Sequence, residues 1–111
     1  LGVHPDLVRV VERARQVEPF FVIEGVRTRA RQKELFAKGA SRTLQSRHLT
    51  GHAVDLGPVP LNWADSAAFA RVAKAMREAG EAEGVPIRWG GHFQGFYDGP
   101  HFELPRDRYP A

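Results

Sequence analysis

Residues 46–55, Ser46-Arg47-His48-Leu49-Thr50-Gly51-His52-Ala53-Val54-Asp55, run from a polar turn into a strand. Residues 53–56 (AVDL) alternate with period two, so Ala53 and Asp55 share one face. His48 offers an imidazole and Asp55 a carboxylate. The small Ala53 leaves room beside Asp55 for an ion and a substrate. Gly51 permits the tight backbone course that returns Asp55 toward His48. Further on, Asp98-Gly99-Pro100-His101-Phe102-Glu103 has the same character. His101 opens a strand and shares a face with Glu103, while Phe102 and Leu104 point to the other. Two histidines and a carboxylate make a three-ligand metal set. Zinc held this way keeps a fourth position for water, the mark of a catalytic site rather than a structural one.

Two more residues suit that chemistry. Asp98 precedes His101 by three residues across a Gly-Pro turn. A carboxylate there can sit beside a metal without binding it and move a proton. Arg27 follows an apolar run and a glycine turn (Glu24-Gly25-Val26-Arg27). It offers a fixed cation for a developing oxyanion, although an arginine in a chain this rich in arginine is equally a solvated charge. His4 and His92 read as ordinary hydrogen-bonded or surface histidines. His52 falls on the strand face opposite Ala53 and Asp55. An Asp-Gly-Pro sequence is by itself only a turn signal.

The remaining sequence supplies a frame. Residues 5–17 predict a helix with Pro5 in its first turn and Leu7, Val8, Val11, Ala14 and Val17 as the apolar stripe. Phe20 to Ile23 predicts a buried strand. A second helix is expected over 29–38, capped by Thr28 and stopped by Gly39. Residues 40–52 read as loop and strand edge. A long helix is expected over 66–79, capped by Asp65 or Ser66, with Ala67, Phe69, Ala70, Val72, Ala73 and Met76 buried. Residues 86–89 and 101–104 predict short strands joined by a glycine-rich turn region, 90–100. Strands from all parts of the chain with three interspersed helices predict a small α+β domain with a mostly antiparallel sheet.

Composition narrows the classes. At 111 residues with 42% hydrophobic content, the chain fits one folded domain. It has no cysteine, which excludes disulfides, cysteine-based zinc ribbons and iron–sulfur clusters, so a transition metal must be held by histidine and carboxylate. Its net charge of +3 favours polyanionic partners without choosing among nucleic acid, anionic lipid and acidic wall polymers. No apolar run approaches the ~18 residues of a membrane span. A phosphate-cradling glycine loop and an interleaved basic-aromatic stretch are both missing, which argues against a nuclease.

The pattern Ser-x-His-x-x-Gly-x-Ala-x-Asp at 46–55 resembles the signature of the zinc D-alanyl-D-alanine carboxypeptidase family, which includes the L-alanyl-D-glutamate endopeptidases of phage endolysins. The resemblance covers nearly the whole chain. Gly2-Val3-His4-Pro5-Asp6-Leu7 is similar to the family's opening helix, and Gly25-Val26-Arg27-Thr28 with Gln32, Leu35, Phe36 and Gly39 to its next segment. Trp89-Gly90-Gly91 and Asp98-x-Pro100-His101-Phe102-Glu103 are similar to its closing motifs. The resemblance implies a D-Ala-D-Ala-peptidase-like (hedgehog-like) single domain over 1–111, with its amino terminus clipped. It implies zinc on His48, Asp55 and His101, Asp98 as acid/base, Arg27 steadying the carbonyl oxygen, and Ser46 near substrate. The closing Asp-x-Pro-His-Phe-Glu is similar to the endopeptidase branch, which cuts the peptidoglycan stem peptide between L-Ala and D-Glu. A D,D- or L,D-carboxypeptidase and a non-catalytic zinc wall-binding module remain alternatives. The implied setting is the cell wall, in periplasm or exterior, with release through a phage holin as one route, and the implied protein is a monomer without nucleic-acid partner. His92-Phe93 departs from the acidic or aromatic pair that often follows the Trp-Gly-Gly motif.

Overall fold

The structure is a computed structural model and describes residues 2–39, 46–95 and 97–110. In chain order these form α1 (Pro5–Arg15), β1 (Phe20–Glu24), α2 (Arg29–Ala37), β2 (Ala53–Pro58), α3 (Ser66–Glu83), β3 (Arg88–Trp89) and β4 (His101–Glu103). Short 3-10 turns span Arg47–Thr50 and Gly90–His92. The four strands make one sheet in the order β1-β2-β4-β3, every neighbour antiparallel. The chain is thus a small α+β domain.

Register assigns the sheet's two faces. Val54 pairs with Phe102, Trp89 with Phe102, and Leu56 with Val22 on one face. Val54, Leu56, Phe102 and Leu104 are buried there with Leu7, Val10 and Ala14 of α1 and Val72, Met76 and Ala79 of α3. Asp55 pairs with His101 and with Glu24, and Ala53 with Glu103, on the opposite face. The apolar core and the candidate ligands therefore use opposite sides of one ladder.

Local signals account for most boundaries. Pro5 opens α1, and the His4 ring accepts from the Asp6 N–H at 3.1 Å. Thr28 accepts from the Arg31 N–H at the start of α2, and Asp65 from the Ala68 N–H at the start of α3. Helix α3 passes through Gly80 and ends at Glu83, four residues beyond the expected end, with Gly84 as its cap. A side chain at Gly80 would run into the Val85 carbonyl, so this glycine allows close packing and does not end the helix.

Several sequence expectations are corrected. Helix α1 stops at Arg15, so Val17 lies outside it and is 73% exposed. Val10 replaces Val8 in its buried stripe. In α3 the buried alanines are Ala68, Ala73, Ala75 and Ala79, with Ala67 and Ala70 exposed. Alanine stands on both faces of this helix, which blurs its period. The strand expected to be buried, β1, is the sheet edge, and Phe21, Val22 and Ile23 are each partly exposed. Residues 47–50 form a 3-10 turn instead of a loop or strand edge, and 40–45 lie outside the described residues.

The two ends of the chain are tied together. The Tyr109 hydroxyl donates to Asp6 at 2.7 Å, across 103 residues of sequence. The buried Arg47 donates to the carbonyls of Leu104 and Tyr109 at 2.7 and 2.8 Å. Hydrogen bonds from Tyr109 and Arg9 hold the Asp6 carboxyl below its ordinary value. A depressed folded-state pKa gives stability that is complete above the unfolded value of ~3.9 and lost as pH falls through the folded value. Asp6→Asn is therefore expected to melt below the parent chain at pH 7, the gap narrowing as pH drops below ~4. Tyr109→Phe is expected to lower the melting temperature by about 4 °C at pH 7, the effect of roughly one lost hydrogen bond in a domain this small. Thermal melts at several pH values check both.

Candidate active site

His48 lies in the 3-10 turn of residues 47–50. The Ser46 side chain caps this turn by accepting from the His48 N–H at 3.2 Å. Gly51 closes it at φ +78°, and a side chain there would collide with the Gly2 carbonyl. Only glycine meets both demands at no steric cost. The chain then enters β2, and the sheet carries Asp55 back beneath His48. His48 Nε2 lies 3.2 Å from Asp55 Oδ1, and His101 Nδ1 lies 3.4 Å from the same oxygen. One donor atom from each of the three residues falls within 4.8 Å of the others, a group that could hold a metal ion.

The outer face of each histidine is also bound. His48 Nδ1 is 2.8 Å from the Gly25 carbonyl. That carbonyl can only accept, so Nδ1 carries a proton; Nε2 then faces Asp55 as a lone pair when the ring is neutral and as a hydrogen-bond donor when the ring is charged. His101 Nε2 is 2.7 Å from Glu103 Oε1, which leaves Nδ1 facing the cluster. Such outer hydrogen bonds fix ring orientation and tautomer in metal sites. Arg88 in turn donates to Glu103 at 3.3 Å. Residue spacing reveals neither outer partner. Gly25 acts through its backbone, and the sequence shows Glu103 only as a residue on the same strand face as His101.

Electrostatics follow from burial and pairing. Burial opposes ionisation of Asp55, but hydrogen bonds and charge from His101 and His48 outweigh it and hold the carboxyl well below the usual range. Burial alone would lower His101, yet Asp55 and Glu103 outweigh it and push the ring up to about 9. Asp98 behaves differently. It is half-buried, and its carboxylate accepts no hydrogen bond among the described residues. Burial pushes its pKa up, helped by the nearby Asp55 charge and opposed by His101. A carboxylate so placed takes up a proton more readily than an exposed one.

Arg27 stands at the rim of the cluster. Its Nη2 is 3.8 Å from Asp55 Oδ2, and its side chain is 8% exposed. Glu24 and Gln32 hold the guanidinium, and its backbone N–H donates to the His48 carbonyl at 2.9 Å. Phe93, part of the His92-Phe93 pair that departs from the family pattern, lies 5.5 Å from the His101 ring between centroids. His92 packs edge-on against Trp89. His52 bonds Thr50 at 2.7 Å, and His4 caps α1; neither is in the three-residue metal group. The residues that spacing singles out as ligands are thus the ones that converge, and the other histidines stand apart.

A sheet face with a His-Asp-His cluster, an arginine and a partly buried carboxylate is the layout of a hydrolytic site. Comparison with known proteins makes the class specific. The family model described as "Phage L-alanyl-D-glutamate peptidase" matches residues 1–105, and the chain belongs to this peptidase family. It is 34% identical to the L-alanyl-D-glutamate peptidase of Escherichia phage T5, over 92% of this chain and 88% of that protein. It is 33% identical to the L-alanyl-D-glutamate peptidase of Listeria phage A118, over 75% of this chain and 29% of the relative. The crystal structure of the Serratia marcescens L-Ala D-Glu endopeptidase ChiX superposes with a TM-score of 0.92. It is 46% identical, with 99% of this chain and 86% of that chain covered.

The placement of Asp98 depends on Gly90. The Asp98 N–H donates to the Gly90 carbonyl at 3.0 Å, and a side chain at Gly90 would meet the Asp98 carbonyl and come within 2.9 Å of its Cβ. Gly90→Ala is expected to displace Asp98; with Asp98 as the expected acid/base, peptidase activity should fall by roughly a hundredfold, a typical cost of misplacing a reacting group by an ångström. Metal binding should persist, because His48, Asp55 and His101 are anchored elsewhere. Activity assays beside metal analysis of the purified variant check this.

Proposed function

We propose that the chain is a zinc-dependent peptidoglycan hydrolase that cuts the stem peptide between L-Ala and D-Glu. The observation that carries the reading is the convergence of His48 Nε2, Asp55 Oδ1 and His101 Nδ1, each ring oriented by an outer hydrogen bond. Two nitrogens and a carboxylate oxygen suit zinc with a position left open for chemistry. Bound there, zinc supplies a Lewis acid that polarises a carbonyl and brings the pKa of water toward ~7.

The protein's own groups then have distinct tasks. Asp98 takes the proton of the attacking water, and its raised proton affinity suits that task. It returns the proton to the departing D-Glu nitrogen. Arg27 turns its remaining N–H groups toward the negative charge that develops on the scissile oxygen. Ser46 uses its oxygen to cap the His48 turn and keeps its hydroxyl proton for a substrate acceptor. The names of the phage and Serratia relatives support the bond assignment. The cell wall is the corresponding site of action, and no described helix is long and apolar enough to cross a membrane.

Asp98→Ala is expected to retain zinc and lose wall hydrolysis by about 10²- to 10⁴-fold, the usual contribution of a positioned acid/base group. His48→Ala should lose both zinc and activity. Metal analysis and turbidity assays separate the two, and full activity in Asp98→Ala would overturn the assigned role. Mass spectrometry of digested muropeptides should find L-alanine left on the glycan side. Release of a terminal D-alanine instead would make the protein a carboxypeptidase.

A further inference from the structure

We infer that Glu24 is a positioning residue of this site, holding the Arg27 guanidinium beside the Asp55 carboxylate and off it. The inference rests on the reading that Arg27 faces the developing negative charge.

The contact is a two-pronged fork. Arg27 Nε donates to Glu24 Oε1 and Nη2 to Glu24 Oε2, both at 2.9 Å. Nη1 donates to Gln32 Oε1 at 2.7 Å, and Gln32 is 1% exposed. An arginine has five N–H donors. These three bonds leave one on each terminal nitrogen. Nη2 is the nitrogen that lies near Asp55, at 3.8 Å, too far for a hydrogen bond. Glu24 and Gln32 thus fix the orientation of the plane while a donor on the cluster side stays available.

The backbone is arranged for this contact. Between Val22 and Glu24 the β1–β2 register shifts, so that β1 advances two residues while β2 goes from Leu56 to Asp55. Without the shift Ile23 would stand opposite Asp55, and an apolar side chain would occupy the place of the carboxylate. Irregularities of this kind re-aim side chains beside active sites.

The physical need is clear from charge and flexibility. A long arginine side chain loses much rotamer freedom when fixed, and a side-on carboxylate fixes it before substrate arrives. Without Glu24 the closest acidic oxygen to Arg27 is that of Asp55. The guanidinium would close on it, leaving the reacting carbonyl and engaging a ligand oxygen. Glu24 supplies the competing carboxylate, and the Arg27 bond holds Glu24 ionised below its ordinary pKa.

The test compares Glu24→Asp, Glu24→Ala, Arg27→Ala and the double variants on purified muropeptide. Glu24→Asp keeps the charge and shortens the reach. It is expected to lower kcat about tenfold, and Glu24→Ala on the order of a hundredfold, with KM changed by less than about threefold. In the Arg27→Ala background neither Glu24 change should cost more than about twofold. Zinc affinity of the metal-free chain, read by chelator competition, should stay within about threefold of the parent for Glu24→Asp, with a parent-like thermal melt. Parental kcat in both Glu24 variants overturns the inference. So does an undiminished Glu24 effect when Arg27 is absent, or a loss that tracks lost zinc. Arg27→Ala with parental kcat overturns the reading of Arg27 and this inference with it. An impaired Arg27→Ala beside unimpaired Glu24 variants overturns the role of Glu24 alone.

Discussion

Asp55 and His101 stand opposite each other in the antiparallel ladder between β2 and β4, and the site depends on that register. Side chains alternate along a strand, so a slip of one residue would carry Asp55 to the helix side and Val54 to the polar side. The apolar residues forbid the slip. Val54, Leu56 and Phe102 are buried against α1 and α3, and exposing them to water would cost far more than any new polar pairing could offset. The hydrophobic core thus holds the candidate ligands at fixed spacing without touching them.

The opposite face concentrates charge in a small, poorly solvated volume. Asp55, His101, Glu103 and Glu24 share it, with Arg27, Arg88 and His48 packed around them. Such a group persists only when each member has a partner. Glu103 serves His101, Gly25 serves His48, and Glu24 serves Arg27. Asp98 is the exception. Its carboxylate is drawn in by a backbone that packs on Gly90 and accepts no hydrogen bond among the described residues. The acid/base role proposed for Asp98 needs lone pairs left available, and this exception is consistent with it.

Much of this is legible in residue types and spacing. Strand alternation at 53–56 and 101–104 places the candidate ligands Asp55 and His101 and the core residues on opposite faces, as the structure has them. Caps at Thr28 and Asp65 mark the starts of two helices. The stripes of α1 and α3 are less clear, because alanine and valine occur all around those helices and their period is ambiguous. Strand β1 reads as buried because Phe20 to Ile23 is apolar throughout, and an apolar run does not say whether a neighbour lies on one side or two.

The sequence by itself determined the donor types, the absence of sulfur ligands and the alternation that keeps Asp55 and His101 off the core. Those properties are local: they depend on side-chain chemistry and on a period of two. Tertiary structure decided which groups complete the site. The Gly25 carbonyl reaches His48 across 23 residues, and the register shift in β1 brings Glu24 opposite Asp55. Such partners are set by how strands pair and how a turn packs on a neighbouring strand, and no spacing rule along one segment reports a contact made between two.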